Sequence, residues 1–159
     1  MDVQLSPWTD TDLELERRFN TPEMKAHLGG PEPDAAIVAR HGRHLSLPGD
    51  GAGQMFRVTA DGADAGSVGY WSRGDDAYEM GWSVLPEFQG HGVASAAVLA
   101  ALAHARASGR RRYVDAYPAV ANLPSNALCG RTGFELLGEE DFEFPKGNPM
   151  RCNHWRVVM

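Results

Sequence analysis

A glycine-rich loop stands between a predicted strand and the longest predicted helix of the chain. It reads Gln89-Gly90-His91-Gly92-Val93-Ala94. Glycine lets a backbone approach a ligand closely and turn its N–H groups toward one point, and the start of a helix adds unpaired N–H groups and the positive end of its dipole. Together these features can bind a phosphate or a pyrophosphate. The alternative is a tight strand-to-helix turn that needs glycine for steric reasons alone.

Two well-known phosphate loops do not fit this segment. A Walker loop ends in Gly-Lys-Ser/Thr, and the chain has no such ending. A dinucleotide-binding loop needs a third glycine or an alanine after Gly90-x-Gly92, at the position where Ser95 stands. A dinucleotide-binding reductase is therefore the weaker interpretation of the loop.

A carboxylate and an asparagine–serine pair flank the loop in the sequence. Side chains alternate along a strand, so Glu79 shares one face of its predicted strand with Gly81 and Ser83. A carboxylate on a central strand is costly to bury without a partner or a role, and a salt-bridged glutamate is the alternative to a functional one. Asn122 precedes Ser125 by three residues, which also suits an ordinary helix N-cap.

The elements that must position these residues alternate between strands and helices. Helix caps and 3.6-residue spacing predict helices near 9–19, 23–28, 33–45, 92–108 and 122–132. Strand-forming residues between turn signals predict strands near 3–5, 54–59, 65–72, 78–85, 112–117, 134–137 and 153–158. The strand–helix–strand unit from 78 to 117 is expected to form a right-handed parallel crossover. The sequence therefore predicts a mixed α/β fold.

Composition narrows the class of protein. The chain has 159 residues, 43% of them hydrophobic, which predicts one globular domain over residues 1–159. A formal net charge of −6 disfavours a general nucleic-acid binder. The sequence has no apolar run of membrane-spanning length and no secretory signal, so we expect a cytoplasmic protein without a membrane partner. Cys129 and Cys152 are expected to be reduced thiols, and Cys152-x-His154 is too sparse for a metal site.

Two motifs resemble those of one enzyme family. The stretch 79–94, with Gln89-x-x-Gly92-x-Ala94, resembles motif A of the Gcn5-related N-acetyltransferase (GNAT) superfamily, whose loop reads Gln/Arg-x-x-Gly-x-Gly/Ala. Asn122-x-x-Ser125-Asn126, leading to Gly133-Phe134, resembles the ribosomal-protein-alanine acetyltransferase (RimJ/RimL)-like branch, as does the segment 22–30. The resemblance covers nearly the whole chain.

The resemblance implies a fold and a cosubstrate. The GNAT fold has a mostly antiparallel sheet of about seven strands flanked by four helices, and its parallel fourth and fifth strands are splayed to bind acyl-CoA. The resemblance implies acetyl-CoA as cosubstrate, with no metal. In this chain it assigns cofactor binding to Trp82, Val84, Gln89, Gly90, His91, Gly92, Val93, Ala94, Asn122 and Ser125. His91 either contacts phosphate or faces solvent.

The resemblance also assigns roles in transfer of an acetyl group to a primary amine by direct attack in a ternary complex. Glu79 is expected to be the general base, acting directly or through water. Many members place a tyrosine acid seven residues after the asparagine, where this chain has Cys129. Ser125 is therefore the better candidate to hydrogen-bond the departing thiolate. The missing tyrosine keeps open a second interpretation, an acyl-CoA-binding sensor or regulatory module with little turnover.

The sequence indicates the acceptor only as a chemical class. The resemblance implies a small-molecule or peptide amine, and dimers are common in the family, so a homodimer is one expectation for assembly. Acidic residues in the variable segments would suit a cationic amine or would simply form a solvated surface; they are Asp75, Asp76, Glu139, Glu140 and Asp141.

Overall fold

Within residues 1–144 and 146–159, which are those that the structure describes, the chain forms seven strands and four α-helices in a computed structural model. The strands are β1 (Val3–Pro7), β2 (Gly53–Ala60), β3 (Ala63–Arg73), β4 (Ala77–Val84), β5 (Tyr113–Ala116), β6 (Glu135–Glu143) and β7 (Pro149–Val158). The helices are α1 (Leu13–Arg18), α2 (Asp34–Ser46), α3 (Val93–Ser108) and α4 (Leu123–Arg131). Short 3-10 turns lie at Asp10–Asp12 and Pro86–Phe88.

The strands form one sheet in the order β1-β2-β3-β4-β5-β7-β6. Neighbouring strands are antiparallel except β4 and β5, which are parallel and are joined by α3. The predicted mixed α/β fold, with its mostly antiparallel sheet and one parallel pair, is thereby confirmed.

Helices cover both faces of the sheet. On one face α3 buries Val98, Ala101 and Leu102 completely, and its many alanines let the helix lie close to the strands. On the other face Trp8 and Leu85 belong to a second core with Leu15 of α1. Side chains alternate along β4, so Glu79 shares the face of Leu85. In the described ranges, no helix is both long and apolar enough to cross a lipid bilayer.

The parallel pair separates along its length. Register pairs run from Ala77 with Tyr113 to Glu79 with Asp115. Beyond β5 the chain follows β7 instead, because the Asn153 N–H donates to the Pro118 carbonyl at 2.9 Å. The second half of β4 is left facing a gap.

Two expectations about the elements were wrong. The segment 23–28 forms successive turns and not an α-helix; the Gly30 N–H folds back onto the Lys25 carbonyl at 2.9 Å, and the Lys25 side chain is buried against Glu32. The last two strands are longer than predicted, because the acids of β6 find cross-strand partners. Arg151 pairs with Asp141 at 2.9 Å, a contact that favours strand pairing.

Candidate active site

One cleft of about 560 Å³ occupies the gap between β4 and β5. Val93 and Leu128 line it from the α3–α4 side of the sheet, and Trp71 and Glu79 line it from the α1–α2 side. The cleft therefore passes through the sheet. A long ligand entering from one face can meet a second molecule entering from the other.

The glycine loop stands at the start of α3, where the sequence predicted it. Gly90 and Gly92 have φ of 77° and 78°, a left-handed conformation that favours glycine. A Cβ at either position would meet no atom within 4 Å, so the backbone lies open to an approaching ligand. Gly90, Gly92, Val93 and Ala94 line the cleft, and the first N–H groups of α3 supply donors for an anion.

The edge of β4 presents backbone groups to the same cleft. The Leu85 N–H donates to the Ala65 carbonyl of β3 at 2.8 Å. Backbone direction alternates along an antiparallel pair, so the N–H and C=O groups of Trp82 and Val84 point to the opposite side, toward the gap. The Gln89 side-chain amide donates to the Val84 carbonyl at 2.9 Å. Gln89 thus ties the loop to the strand, and the Val84 N–H stays on the cleft side.

Ser125 lies across the cleft from β4, at the start of α4. The Asn122 side chain caps this helix by accepting from the Ser125 N–H at 3.3 Å, so the N-cap interpretation holds for Asn122. The Trp82 indole N–H donates to Ser125 Oγ at 3.2 Å. Because the indole is a donor only, the Ser125 hydroxyl proton remains available for another acceptor.

Cys129 occupies the core beneath this helix. Its side chain is completely buried, and it is not among the residues that line the cleft. Burial raises the pKa of the Cys129 thiol to about 12. At neutral pH Cys129 is therefore a small neutral side chain in the core.

Glu79 lines the cleft and forms an ion pair with Arg73. Arg73 Nη1 donates to Glu79 Oε1 at 2.7 Å, and the Glu79 side chain is 16% exposed. Burial raises the pKa of Glu79 above its ordinary value by more than the charge and hydrogen bond of Arg73 lower it. The salt-bridged interpretation holds for Glu79, and a raised pKa also suits a general base near neutral pH.

A cluster that sequence reasoning missed continues from this ion pair. The Arg73 guanidinium lies 4.4 Å from the ring centre of Tyr117, and Tyr117 stacks on His154 at 4.6 Å. Asp115, 2% exposed, accepts from Arg156 at 2.7 and 2.9 Å. The turn signal at 74–76 could have placed Arg73 near Glu79, but the contacts of Asp115 depend on pairing between distant strands.

His91 and the acids considered for acceptor binding lie outside the cleft, whereas Arg131 lines it. His91 is exposed and is not among the residues that line the cleft. Arg131 lines the cleft, 3.5 Å from Ser95 Oγ. The described residues contain no group of three or more His, Cys, Asp or Glu arranged to hold a metal ion. None of the five acids considered for acceptor binding lines the cleft: Asp75, Asp76, Glu139, Glu140 and Asp141.

Solved structures share this fold over nearly the whole chain. RimL, a ribosomal alpha-N-protein acetyltransferase solved in complex with coenzyme A, is 18% identical with a TM-score of 0.83, covering 99% of this chain and 94% of that one. The microcin self-immunity acetyltransferase MccE, with acetyl-CoA and AMP, is 18% identical with a TM-score of 0.81, covering 99% and 93%. Spermidine N-acetyltransferase from Vibrio cholerae, with coenzyme A and spermine, is 20% identical with a TM-score of 0.79, covering 98% and 95%.

Sequence comparison identifies the family. No curated protein matches the chain significantly by sequence. A family model described as an acetyltransferase (GNAT) domain matches residues 2–135, which include the glycine loop, β4, β5 and α4. The resemblance seen in the motifs is thus confirmed over most of the chain. The chain belongs to the GNAT acetyltransferase family.

Proposed function

We propose that this chain is an acetyl-CoA-dependent N-acetyltransferase that transfers the acetyl group to a primary amine by direct attack. One observation carries the proposal: a single cleft through the sheet joins the glycine loop to the largely buried carboxylate of Glu79. The loop suits the pyrophosphate end of the cosubstrate, and the carboxylate suits the amine. The solved relatives that hold coenzyme A, acetyl-CoA or spermine support both halves of this assignment.

Binding of the cosubstrate would use mostly backbone groups. The N–H groups from Gly90 to Ala94 would hold the pyrophosphate. The pantetheine arm carries amides, which pair with the free edge of β4 at Trp82 and Val84 as a further strand would. Asn122 lies beside this path and would contact the arm while it caps α4.

The proposed chemistry requires three groups around the thioester. The amine nitrogen attacks the thioester carbonyl carbon, and the backbone N–H of Val84 stabilises the charge that forms on the carbonyl oxygen. The carbon–sulfur bond then breaks, and the departing thiolate accepts a hydrogen bond from the Ser125 hydroxyl. Glu79 takes the proton of the attacking amine directly or through water. The products are the acetylated amine and coenzyme A.

Binding and turnover must be measured separately to test this proposal. Calorimetry gives the affinity for acetyl-CoA, and release of free thiol in the presence of a panel of primary amines gives turnover. Glu79→Gln should keep the affinity and lower turnover by about 10²–10⁴-fold, because an amide cannot accept the amine proton. Glu14→Gln, an exposed change on α1, is the matched control.

Two other outcomes would contradict all or part of the proposal. Tight binding of acetyl-CoA without turnover of any amine would favour the acyl-CoA-binding sensor. Wild-type turnover by Glu79→Gln at neutral pH would remove this carboxylate from the mechanism.

A further inference from the structure

We infer that the acceptor is a monoamine that carries an apolar, preferably aromatic, group close to its amino group, and not a polyamine; this inference rests on the proposed function. It follows from the part of the cleft on the α1–α2 side of the sheet. We call this part the acceptor chamber and define it by six residues, Met24, Leu28, Trp71, Tyr117, Phe142 and Phe144, all of which line the cleft.

The chamber adjoins the carboxylate of Glu79. Trp71 is the register partner of Glu79 on β3, so their side chains stand side by side on the same face. The Trp71 ring extends over Gly81, where a Cβ would come within 2.9 Å of the indole. An aromatic floor thus begins beside the proposed base and runs along β4 toward the thioester position.

Aromatic rings also form the far wall of the chamber. Tyr117 and Phe142 stack with their ring centres 5.2 Å apart, and the Arg73 guanidinium packs against both rings. Phe144 extends this wall beyond β6 and packs against Arg40 at 5.4 Å. These contacts hold the rings in place before any acceptor arrives, which lowers the cost of ordering them around a ligand.

The carboxylates of the chamber are too few for a polycation. Among the described residues, Glu23 and Glu79 are the acids that line the cleft, and Glu79 already faces the cation of Arg73 at 2.7 Å. Two other acids of the region lie outside the cleft and are paired. Arg151 is 2.9 Å from Asp141, and His154 is 3.1 Å from Glu140.

Apolar walls therefore provide most of the binding surface next to one amine-accepting carboxylate. Burial of an aromatic ring against such walls is favourable and should give a preference of about tenfold or more. The rings of Tyr117 and Phe142 already carry the Arg73 guanidinium, so a second or third ammonium group would meet a like charge there. That arrangement disfavours a long polyamine.

A matched set of amines tests the inference. We compare kcat/KM for ethylamine, 2-phenylethylamine and spermidine at saturating acetyl-CoA and one pH. We expect 2-phenylethylamine to exceed ethylamine by about tenfold or more, and to exceed spermidine. In Phe142→Ala the preference for 2-phenylethylamine over ethylamine should fall several-fold. Leu137→Ala, on the same strand with a side chain 52% exposed and outside the cleft, should keep it.

The controls separate this inference from the proposed function. Affinity for acetyl-CoA, measured by calorimetry, confirms that Phe142→Ala is folded, and Met24→Ala offers a second variant from the opposite wall. Equal or better turnover of spermidine, or a preference that survives both Phe142→Ala and Met24→Ala, would overturn the inference while leaving an N-acetyltransferase. Turnover of none of the three amines would overturn the inference, and acetyl-CoA binding would then decide whether the sensor alternative stands.

Discussion

The guanidinium of Arg73 donates a hydrogen bond of 2.7 Å to the carboxylate of Glu79 and lies over the ring of Tyr117, 4.4 Å from its centre. Arg73 is thereby fixed between the proposed base and an aromatic wall. Burial raises the pKa of Glu79, and Arg73 opposes this rise. In the proposed mechanism, Arg73 would therefore help to set the pH at which Glu79 can accept a proton.

Removal of this guanidinium should move the pH dependence of the reaction. In Arg73→Met the effect of burial on Glu79 would be opposed by the hydrogen bond of Trp71 alone, so the pKa of Glu79 should rise further. Glu79 accepts a proton only when ionised, so the acid limb of kcat/KM should shift to higher pH. Arg73→Lys keeps a positive charge beside Glu79, so its pH profile should lie between those of Arg73→Met and the wild type. Arg18→Met, which breaks the exposed pair with Glu87, should leave the limb in place, and an unshifted limb in Arg73→Met would contradict the role of Arg73.

The glycine loop can be tested with a matched pair of helix-end variants. Gly92→Glu should abolish coenzyme A binding, because a side chain blocks the approach of the pyrophosphate and its charge repels it. Gly109→Glu introduces the same residue at φ of 64°, close to the 78° of Gly92, but at the other end of α3. Both changes strain the backbone, and only Gly92→Glu should lose affinity by calorimetry. Unchanged affinity in Gly92→Glu would remove the loop from the binding site.

Ser125 and Cys129 should differ in their effect on turnover. Ser125→Ala removes the hydroxyl offered to the thiolate and should raise the barrier by roughly 1–2 kcal/mol, as for one hydrogen bond to a charged group. Cys129→Ala changes a completely buried side chain outside the cleft, so it should lower the thermal midpoint and leave kcat nearly unchanged. Pre-steady-state thiol release measures turnover in both variants, and thermal unfolding measures the midpoint of Cys129→Ala. Loss of turnover in Cys129→Ala alone would reverse the two roles.

A buried ion network should stabilise the segment that carries Met24 and Leu28. Arg40 contacts Glu16 at 3.6 Å and also pairs with Glu32, and both glutamates have side chains about 5% exposed. Arg40→Met leaves two buried carboxylates without this cation and should cost about 3–5 kcal/mol of unfolding free energy. Arg17→Met breaks the exposed pair with Asp34 between the same two helices and should change stability little. Urea unfolding compares them, and equal losses would refute the network.

The charge of Asp115 should make the stability of the folded protein depend on pH in the acid range. Burial raises the pKa of Asp115, but the hydrogen bonds and charges of Arg156 and His154 outweigh it and hold the pKa below the ordinary 3.8. A lowered folded pKa contributes stability that is fully present above the unfolded value and is lost as pH falls through the folded value.

Asp115→Asn provides the test of this contribution. It should be less stable than the wild type at neutral pH by roughly 2–3 kcal/mol, and the difference should shrink once pH falls below 3.8. Asp141→Asn, whose side chain is 93% exposed, is the control. A difference between wild type and Asp115→Asn that is constant from neutral to acid pH would show that the charge of Asp115 is unimportant.

Sequence patterns were sufficient where the site is built from neighbouring residues. The glycine loop and the N-cap of α4 were found because each lies within a few consecutive residues and depends on backbone rules that hold locally. The parallel pair followed from the strand–helix–strand order, since parallel neighbours are usually joined by a crossover helix.

Patterns were insufficient where distant strands determine the contact. Asn126 stands inside the recognised motif, yet its role appears only in the fold. Its amide donates to the carbonyls of Ala119 and Asn122 at 3.0 and 2.8 Å, and its oxygen accepts from Asn153 and Trp155 at 2.8 and 2.9 Å. One side chain thus ties α4 to β7 and to the strand exit that opens the cleft. No local spacing encodes this, because the partners lie up to 29 residues away.

The acids of β6 have a consequence for the protein as a whole rather than for its cleft. β6 is the last strand of the sheet, and its nine residues, ELLGEEDFE, include five carboxylates. A free sheet edge can pair with a strand from another molecule. When two copies of this chain meet at β6, the negative charges on the two strands repel each other and oppose that pairing. The gap beside β4 needs no such protection because it lies inside the sheet, where a slender ligand enters more easily than a whole strand. The sheet thus has one unpaired strand edge in its interior, beside β4, and a strongly acidic edge at β6.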